Sequence, residues 1–562
     1  MADASSDAVR SDAGRTDAER IDAERIDIER IDTERIDIGV APLDRGARIA
    51  VATLVDGRAT DAAVHASAHV ADDRRLAAPG ARIVWQDAKA IVPALLDAGV
   101  ALERVRDVRL VHRILAEARG LEAEERWSRA LRTDAEGLFS LAPEAESLDA
   151  VAEQLSLQEA AIGDDAGLRM LAAAESMGGV IAVELSRQGL PFDRARHDAL
   201  LVAALGERPL GAGPAARPRR MDALAVEIRD ALSAPTLNPD SPQEVLKALK
   251  RAGLDVASTS RWELEEQEHP AIAPLIEYKH LARLHTANGW SWSQRWARID
   301  DRGRCRLALE YVPGGVVTGR WATEGSGAMQ IARQIRGAVA AEPGMRLVVA
   351  DAAQLEPRAL AAIARDEALA AAGRGTDLYQ GLVDRGVVET RQQAKIGMLG
   401  ALYGGTTGES AVVLPRLARA YPKAMGIVES AARAGERRER VRTWLGRTSP
   451  LPGSWRDDER GIRQARAWGR FTRNFVVQGT AAEWALAWMA GVRRAIRDVE
   501  GAALVCFLHD EVIVQAPEER ADAVAEAIRA AAAEAGRLLF GGFPIDFPVQ
   551  TAIVGDWGQA KD

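Results

Sequence analysis

One stretch near the C-terminus constrains the fold more than any other. Residues 504–508 are apolar, His509, Asp510 and Glu511 interrupt them, and residues 512–514 resume the run. Short apolar segments around a polar tip read as two buried strands joined by a turn. Adjacent acids raise each other's pKa there, and a low dielectric raises it further. A cation would relieve them. Taken alone, Asp510 reads equally well as a residue of the hairpin tip.

A second acid has a matching context. Residues 347–350 read as a strand, Asp351 ends it, and a helix starts within a few residues, with Pro357 in its first turn. Alone, Asp351 serves equally as a helix cap. Together the two loci suggest more. Two carboxylates from separate strands suit a pair of Mg²⁺ ions, which take oxygen ligands and keep waters. Two such ions about 3.5–4 Å apart stabilise the attacking and leaving oxygens of an in-line phosphoryl transfer.

A stripe of cations follows. Arg391, Lys395, Leu399 and Tyr403 recur every four residues. Four residues advance a helix by about 400°, so the stripe drifts only about 40° per step. Only seven of the 73 basic residues are lysines, so Lys395 stands out. Cations at a helix start oppose its dipole. Gly397, Gly400 and Gly404 also weaken the helix, by about 1 kcal/mol each where interior. Both features make sense if something approaches this helix closely; an exposed basic face above a core stripe is the alternative. Arg470, Asn474 and Gln478 repeat the spacing on an otherwise apolar helix. Amides in such a row suit the grooves and sugars of a duplex, and an exposed face explains them equally.

Charge does not announce a nucleic-acid binder. The net charge is −9, and the first 40 residues, with twelve acids against six arginines, carry −6 of it. The other 522 residues are close to neutral, so any such binding uses local patches. No run of about 18 apolar residues is evident, so no membrane span is expected. The acidic N-terminus lacks the apolar core of a secretory signal. Cys305 and Cys506 are the only cysteines, which argues against a disulfide scaffold and suits a reducing cytoplasm.

The length allows several domains. Residues 1–45 form a low-complexity tail in which Ala-Glu-Arg-Ile-Asp recurs, with changes at its first position, four times from Ala18 to Asp37. Period five matches neither helix nor strand, so a solvated, disordered tail is expected. Residues 46–165 alternate strand and helix signals, which suggests a small α/β unit with "IAVATLV" as its first strand. Helical signals dominate about 170–300, including a helix start at Ser241 and Pro242. Residues 300–562 carry nearly all the candidate chemistry, within a unit expected to span 166–562.

These motifs resemble those of the family A DNA polymerases, the DNA polymerase I family. "DAAQLEPR" (351–358) looks like motif A, "RQQAKIGMLGALYG" (391–404) like motif B, and "HDE" (509–511) is motif C. "TGRW" (318–321), "VRTWLGRTSPLP" (441–452) and "RNFVVQGTAAE" (473–483) are similar to three further segments, in the family's order. The resemblance implies an α+β right-hand polymerase fold. Its thumb would span about 170–300, its palm about 301–357 and 450–562, and its fingers about 358–449. A small α/β, ribonuclease H-like domain of the 3′–5′ exonuclease type would precede it.

The resemblance also implies roles. Asp351 and Asp510, with the Ala352 carbonyl, would hold two Mg²⁺ ions, for which Mn²⁺ could substitute, and Glu511 would lie beside them. Arg391 and Lys395 would bind the triphosphate of a deoxynucleotide, with Lys395 able to protonate pyrophosphate. Tyr403 would pack at the templating position, Glu356 would exclude a ribose 2′-hydroxyl, and Gln354 and Leu399 would complete the nucleotide site. Arg320, Arg470, Asn474, Gln478 and His509 would touch primer–template DNA. The implied enzyme is a cytoplasmic, nucleoid-associated monomer acting in replication or repair.

Departures from the family pattern are specific. Leu399 stands where the family has Phe or Tyr, and Tyr379 where it usually has His. Ala352 and Ala353 replace Tyr-Ser, and Ile331 replaces the usual Asn. The N-terminal unit shows no D-x-E on the strand read as its first, so an exonuclease-like fold without proofreading is expected, with no room for the family's 5′-nuclease domain. A polymerase-shaped DNA-binding protein with weak catalysis and a nuclease using the same metals are the competing readings.

Overall fold

The computed structural model describes residues 35–43, 46–121, 146–209, 217–325, 330–375, 377–405, 408–456 and 458–561. Most of the pentad tail lies outside them. The first sheet contains β1 (Ile36–Leu43), β2 (Arg48–Val55), β3 (Arg58–Ala66), β4 (Ala81–Trp85) and β5 (Val105–Asp107), in the order β3-β2-β1-β4-β5. β1 runs antiparallel to β2 and parallel to β4. Two expectations need correction. The sheet begins at Ile36, inside the stretch assigned to the tail, because Ile38 and Val40 enter the core and the last pentad's Asp37 accepts the Arg82 guanidinium at 2.7 and 3.0 Å. The segment read as the first strand is the second, β2.

Helices α1 (Ala88–Asp97), α2 (Val108–Arg119) and α3 (Glu146–Ile162) pack around this sheet. Asp87 caps α1 by accepting from the Lys89 N–H at 2.9 Å. Helix α4 (Ala166–Gln188) is long and apolar enough to cross a membrane by length and mean composition, although polar and charged residues interrupt it and it is no continuous apolar run. Yet 72% of its apolar window is buried inside the protein. Gly178 lets it approach Trp321, and Gly179 lets it approach Ala88 and Leu110, so α4 is a core helix shared by two domains.

The next segment is helical, as expected, with α5 (Arg194–Leu205), α6 (Arg219–Ala231), α7 (Pro242–Arg251) and α8 (Ile272–Asn288). Ser241 caps α7 by accepting from Glu244 N–H at 3.3 Å, and Glu244 reaches back to Asn238 N–H at 3.1 Å.

The second large sheet positions the chemistry. It holds β6 (Met345–Ala352), β7 (Ala503–Leu508), β8 (Glu511–Pro517) and β9 (Val549–Val554), in the antiparallel order β7-β8-β6-β9. Between β6 and β7 run α9 (Leu355–Ile363), α10 (Leu378–Asp384), α11 (Arg391–Tyr403), α12 (Glu409–Ala420), α13 (Pro422–Glu436) and the 38-residue α14 (Glu459–Ile496). α14 and α15 (Ala521–Phe540) lie behind the sheet. α14 packs on α13 at one end and on α15 and α4 further along, so one helix joins the expected fingers to the palm. α9 runs through the expected border at residues 357–358, so that border does not divide the chain.

The glycines of α11 have a different cause from the one expected. A Cβ at Gly397 would collide with Val413, and one at Gly400 would sit 2.7 Å from the Ser410 hydroxyl. The close approach is that of α12, not of a ligand.

Candidate nucleotide and DNA site

The two acids meet because the strands do. Asp351, one residue before the end of β6, lies directly opposite Glu511 on β8, and the Ala352 N–H donates to the Asp510 carbonyl at 2.8 Å. His509 supplies the left-handed residue of the β7–β8 turn, with φ 56°. The tip residue Asp510 is open to solvent as a whole, but protein crowds its carboxyl. Burial, and then the neighbouring Asp351 carboxylate, push its pKa up to about 6. That is a site short of positive charge.

The donors fit Mg²⁺ or Mn²⁺. Among the described residues no group of three or more His, Cys, Asp or Glu converges. Asp351, Asp510 and the expected Ala352 carbonyl are hard oxygen donors of the kind a divalent cation takes, and water would complete its shell. Glu511 faces Asp351 across the strand pair. It is buried, accepts from the Trp557 indole N–H at 2.8 Å, and lies 3.8 Å from Arg336, whose guanidinium stacks 3.9 Å from the Trp557 ring. These contacts anchor Glu511 to the chain's C-terminal segment.

Around the acids, two elements converge on Glu356 of α9. Arg320 forms an ion pair with it, and the Tyr403 hydroxyl donates to its carboxylate, 2.9 and 3.1 Å from the two oxygens. Burial, then Glu356, raise Tyr403 to about 12, so the phenol stays a donor. The Thr318 hydroxyl donates to Gln478 at 2.8 Å. Gln354 adopts the left-handed region at φ 47° and accepts from Leu378 N–H at 3.3 Å, which ties motif A to the start of α10. Burial, then Arg320, pull His509 down to about 4, so its ring is neutral at physiological pH.

The stripe on α11 is only partly free. Arg391 pairs with Asp377 at 2.7 Å and lies 5.7 Å from the Tyr379 ring. Asp377 also caps α10, accepting from Tyr379 N–H at 2.9 Å and Gln380 N–H at 3.1 Å. This acid offsets the cation at the start of α11 that the helix dipole disfavours. Lys395 is exposed, with no hydrogen bond or ion pair among the described residues, and Leu399 is half-buried. Lys395 stands between Arg391 and Tyr403, whose partners Asp377 and Glu356 fix the two ends of the stripe. Arg470 is exposed, and its stem packs where Gly404, at φ 74°, has no side chain. Asn474 has a buried carbonyl oxygen with no partner.

Sequence reading missed several supporting residues. Arg358 is fully buried and donates to the carbonyls of Ala353, Gly373 and Asp546 at 2.9, 2.7 and 2.9 Å, which fixes the turn after Asp351. A lone arginine in an apolar helix was its signal. Glu175 and Arg447 form a buried pair at 2.9 Å, 272 residues apart. No local pattern marks that pair.

Comparison with known proteins places this geometry. The sequence profile of DNA polymerase family A matches residues 216–559. Thermostable DNA polymerase I of Thermus aquaticus is 27% identical over 342 residues, covering 56% of this chain and 39% of that protein. DNA polymerase I of Chloroflexus aurantiacus is 29% identical over 314 residues, covering 50% of this chain and 32% of that protein. The matches thus span about two fifths or less of these relatives. The fold is that of the POL domain of Pol1 from M. smegmatis, solved in complex with DNA primer-template and dNTP. The TM-score is 0.68 at 19% identity, over 95% of this chain and 97% of that one. The family profile covers more than half of the chain, and this protein belongs to DNA polymerase family A.

Proposed function

We propose that this chain is a template-directed DNA polymerase that adds deoxynucleotides to a primer 3′-hydroxyl. One observation carries the reading: strands β6 and β8 bring Asp351 and Asp510 together beside a helix that presents Arg391 and Lys395. Two divalent cations held by Asp351, Asp510 and the Ala352 carbonyl would supply the charge neutralisation for phosphoryl transfer. The chain's own groups do the rest. Lys395, and Arg391 once it leaves Asp377, bind the triphosphate as cations. Glu356, held by Arg320 and Tyr403, sets the floor against which a 2′-hydroxyl clashes. Gln478, Asn474, Arg470 and neutral His509 offer hydrogen bonds to a minor groove. Catalysis here is positioning and electrostatics, with no protein nucleophile.

The N-terminal domain acts without proofreading in this reading. Its first strand, IDIGVAPL, holds one acid, Asp37, which is engaged by Arg82. The partners are primer–template DNA and deoxynucleoside triphosphates, the enzyme works as a cytoplasmic, nucleoid-associated monomer, and the setting is replication or repair. The Arg391–Asp377 pair favours a second reading, a polymerase-shaped DNA-binding protein with weak catalysis.

Extension of a labelled hairpin primer with and without Mg²⁺ separates these. Metal-dependent lengthening supports the polymerase. A mobility shift without lengthening supports the second reading, and shortening of the primer contradicts both. Asp510→Ala is expected to abolish extension while duplex binding persists; synthesis by that variant would refute the assignment.

A further inference from the structure

The hairpin that carries Thr318 and Arg320 is gripped from a distant part of the chain. It rises from strand Glu310–Val312, turns through residues 313–321, and returns as Ala322–Glu324. Two amides shape its tip, Val316 N–H donating to Arg320 C=O at 3.0 Å and Gly319 N–H to Val316 C=O at 2.8 Å. The tip then delivers Arg320 to Glu356 and Thr318 to Gln478. Its root is held by the N-terminal domain. Arg113, on α2, donates to the Gly314 carbonyl at 2.7 Å and the Pro313 carbonyl at 3.4 Å. Lys89, on α1, lies 3.7 Å from Glu324 on the return strand.

α4 fills the space between. Its Ser176 hydroxyl accepts from Asp107 N–H at 3.0 Å on the N-terminal side. On the other side Gly314 leaves room for Glu175, and Gly178 leaves room for Trp321 at the end of the tip. Glu175 pairs with Arg447, and a Cβ on Gly319, next to Arg320, would sit 2.6 Å from the Arg447 guanidinium. Side chains and a rigid helix thus run without a gap from the N-terminal sheet to Arg320.

We propose that the N-terminal domain braces the nucleotide site, with Arg113 as a positioning residue that sets the hairpin presenting Arg320 to Glu356; this rests on the polymerase reading above. Arg113 touches neither the acids nor the stripe on α11. It acts through two backbone carbonyls, so it fixes where the tip sits rather than what the tip does. The consequence falls on sugar selection, since Arg320 and Tyr403 together hold Glu356.

The test compares wild type with Arg113→Ala and Arg113→Lys in the full chain. The first measurement is single-nucleotide kcat/KM for a deoxynucleotide and the matching ribonucleotide. Arg113→Ala is expected to lower the deoxy-to-ribo preference by about fivefold or more, with duplex affinity unchanged. Arg113→Lys, which keeps one donor, should recover part of it. The effect should vanish in a Glu356→Ala background, because the two act on one contact. The second measurement is amide hydrogen exchange at Val316 and Gly319, which should speed up in Arg113→Ala. Unchanged preference together with unchanged exchange overturns the brace. If wild type does not extend a primer at all, the polymerase reading fails, and exchange at those two amides alone decides whether Arg113 sets the hairpin.

Discussion

Glu483 offers a sharp test of how the loop behind the site is held. It is 1% exposed on α14, accepts from Leu445 N–H at 3.0 Å, and is bonded to the Thr443 hydroxyl. It therefore clamps the loop that carries Arg447. Burial drives its pKa from 4.5 up to about 7, against the lowering effects of Thr443, Leu445 and Arg447. The sign follows from linkage. Below pH 4.5 the carboxyl is neutral in both folded and unfolded chains, and its burial has no ionisation cost. Between 4.5 and 7 only the unfolded chain ionises, so stability falls as pH rises. Above pH 7 the full penalty applies, about 2.5 pKa units or ~3 kcal/mol.

Glu483→Gln removes that penalty and keeps both bonds, since an amide can accept from Leu445 and donate to Thr443. A cooperative unit of about 400 residues unfolds with roughly 0.8 kcal/mol/K of entropy, so ~3 kcal/mol is about 4 °C. The expected result is a melting temperature about 4 °C higher than wild type at pH 8, shrinking towards zero near pH 4.5. Calorimetry at the two pH values measures it. A gain of equal size at both, or a loss at pH 8, would refute burial as the cause.

Three further outcomes are expected at the site itself. Asp377→Asn keeps the cap on α10 but releases Arg391, so KM for deoxynucleotides should fall severalfold in steady-state extension; a rise would mean that Asp377 positions Arg391 instead. Glu356→Ala removes the acceptor shared by Arg320 and Tyr403, and ribonucleotide incorporation should rise at least tenfold relative to wild type in a competition assay. With Asp510 raised to about 6, Mn²⁺ must displace a proton below that pH, so its affinity should fall up to tenfold per pH unit below 6 and level off above 7, as followed by electron paramagnetic resonance of free Mn²⁺.

Much of the site was legible because its signals are local. The acids near the end of β6 and in the β7–β8 turn, the four-residue stripe on α11 and the cap at Ser241 are each set by neighbours a few residues away. Reading failed where the deciding partner is remote. The glycines of α11 accommodate α12 rather than a ligand. Glu511 turned out to be tied to Trp557, 46 residues on. The tail boundary was misplaced because a pentad repeat looks uniform, while only the sheet decides that its last copy joins β1 through Arg82.

The sequence by itself determined which residue types stand at the end of each strand and on each helix face, because side-chain period follows from backbone geometry. Tertiary structure alone decided which of these groups are charged, paired or buried together. Asp351 and Asp510 lie side by side where β6 meets the β7–β8 turn, Arg391 is held by Asp377, and Arg113 reaches a hairpin 200 residues away. Ionisation and pairing depend on local dielectric and on partners within a few ångströms, and packing, not sequence distance, supplies both.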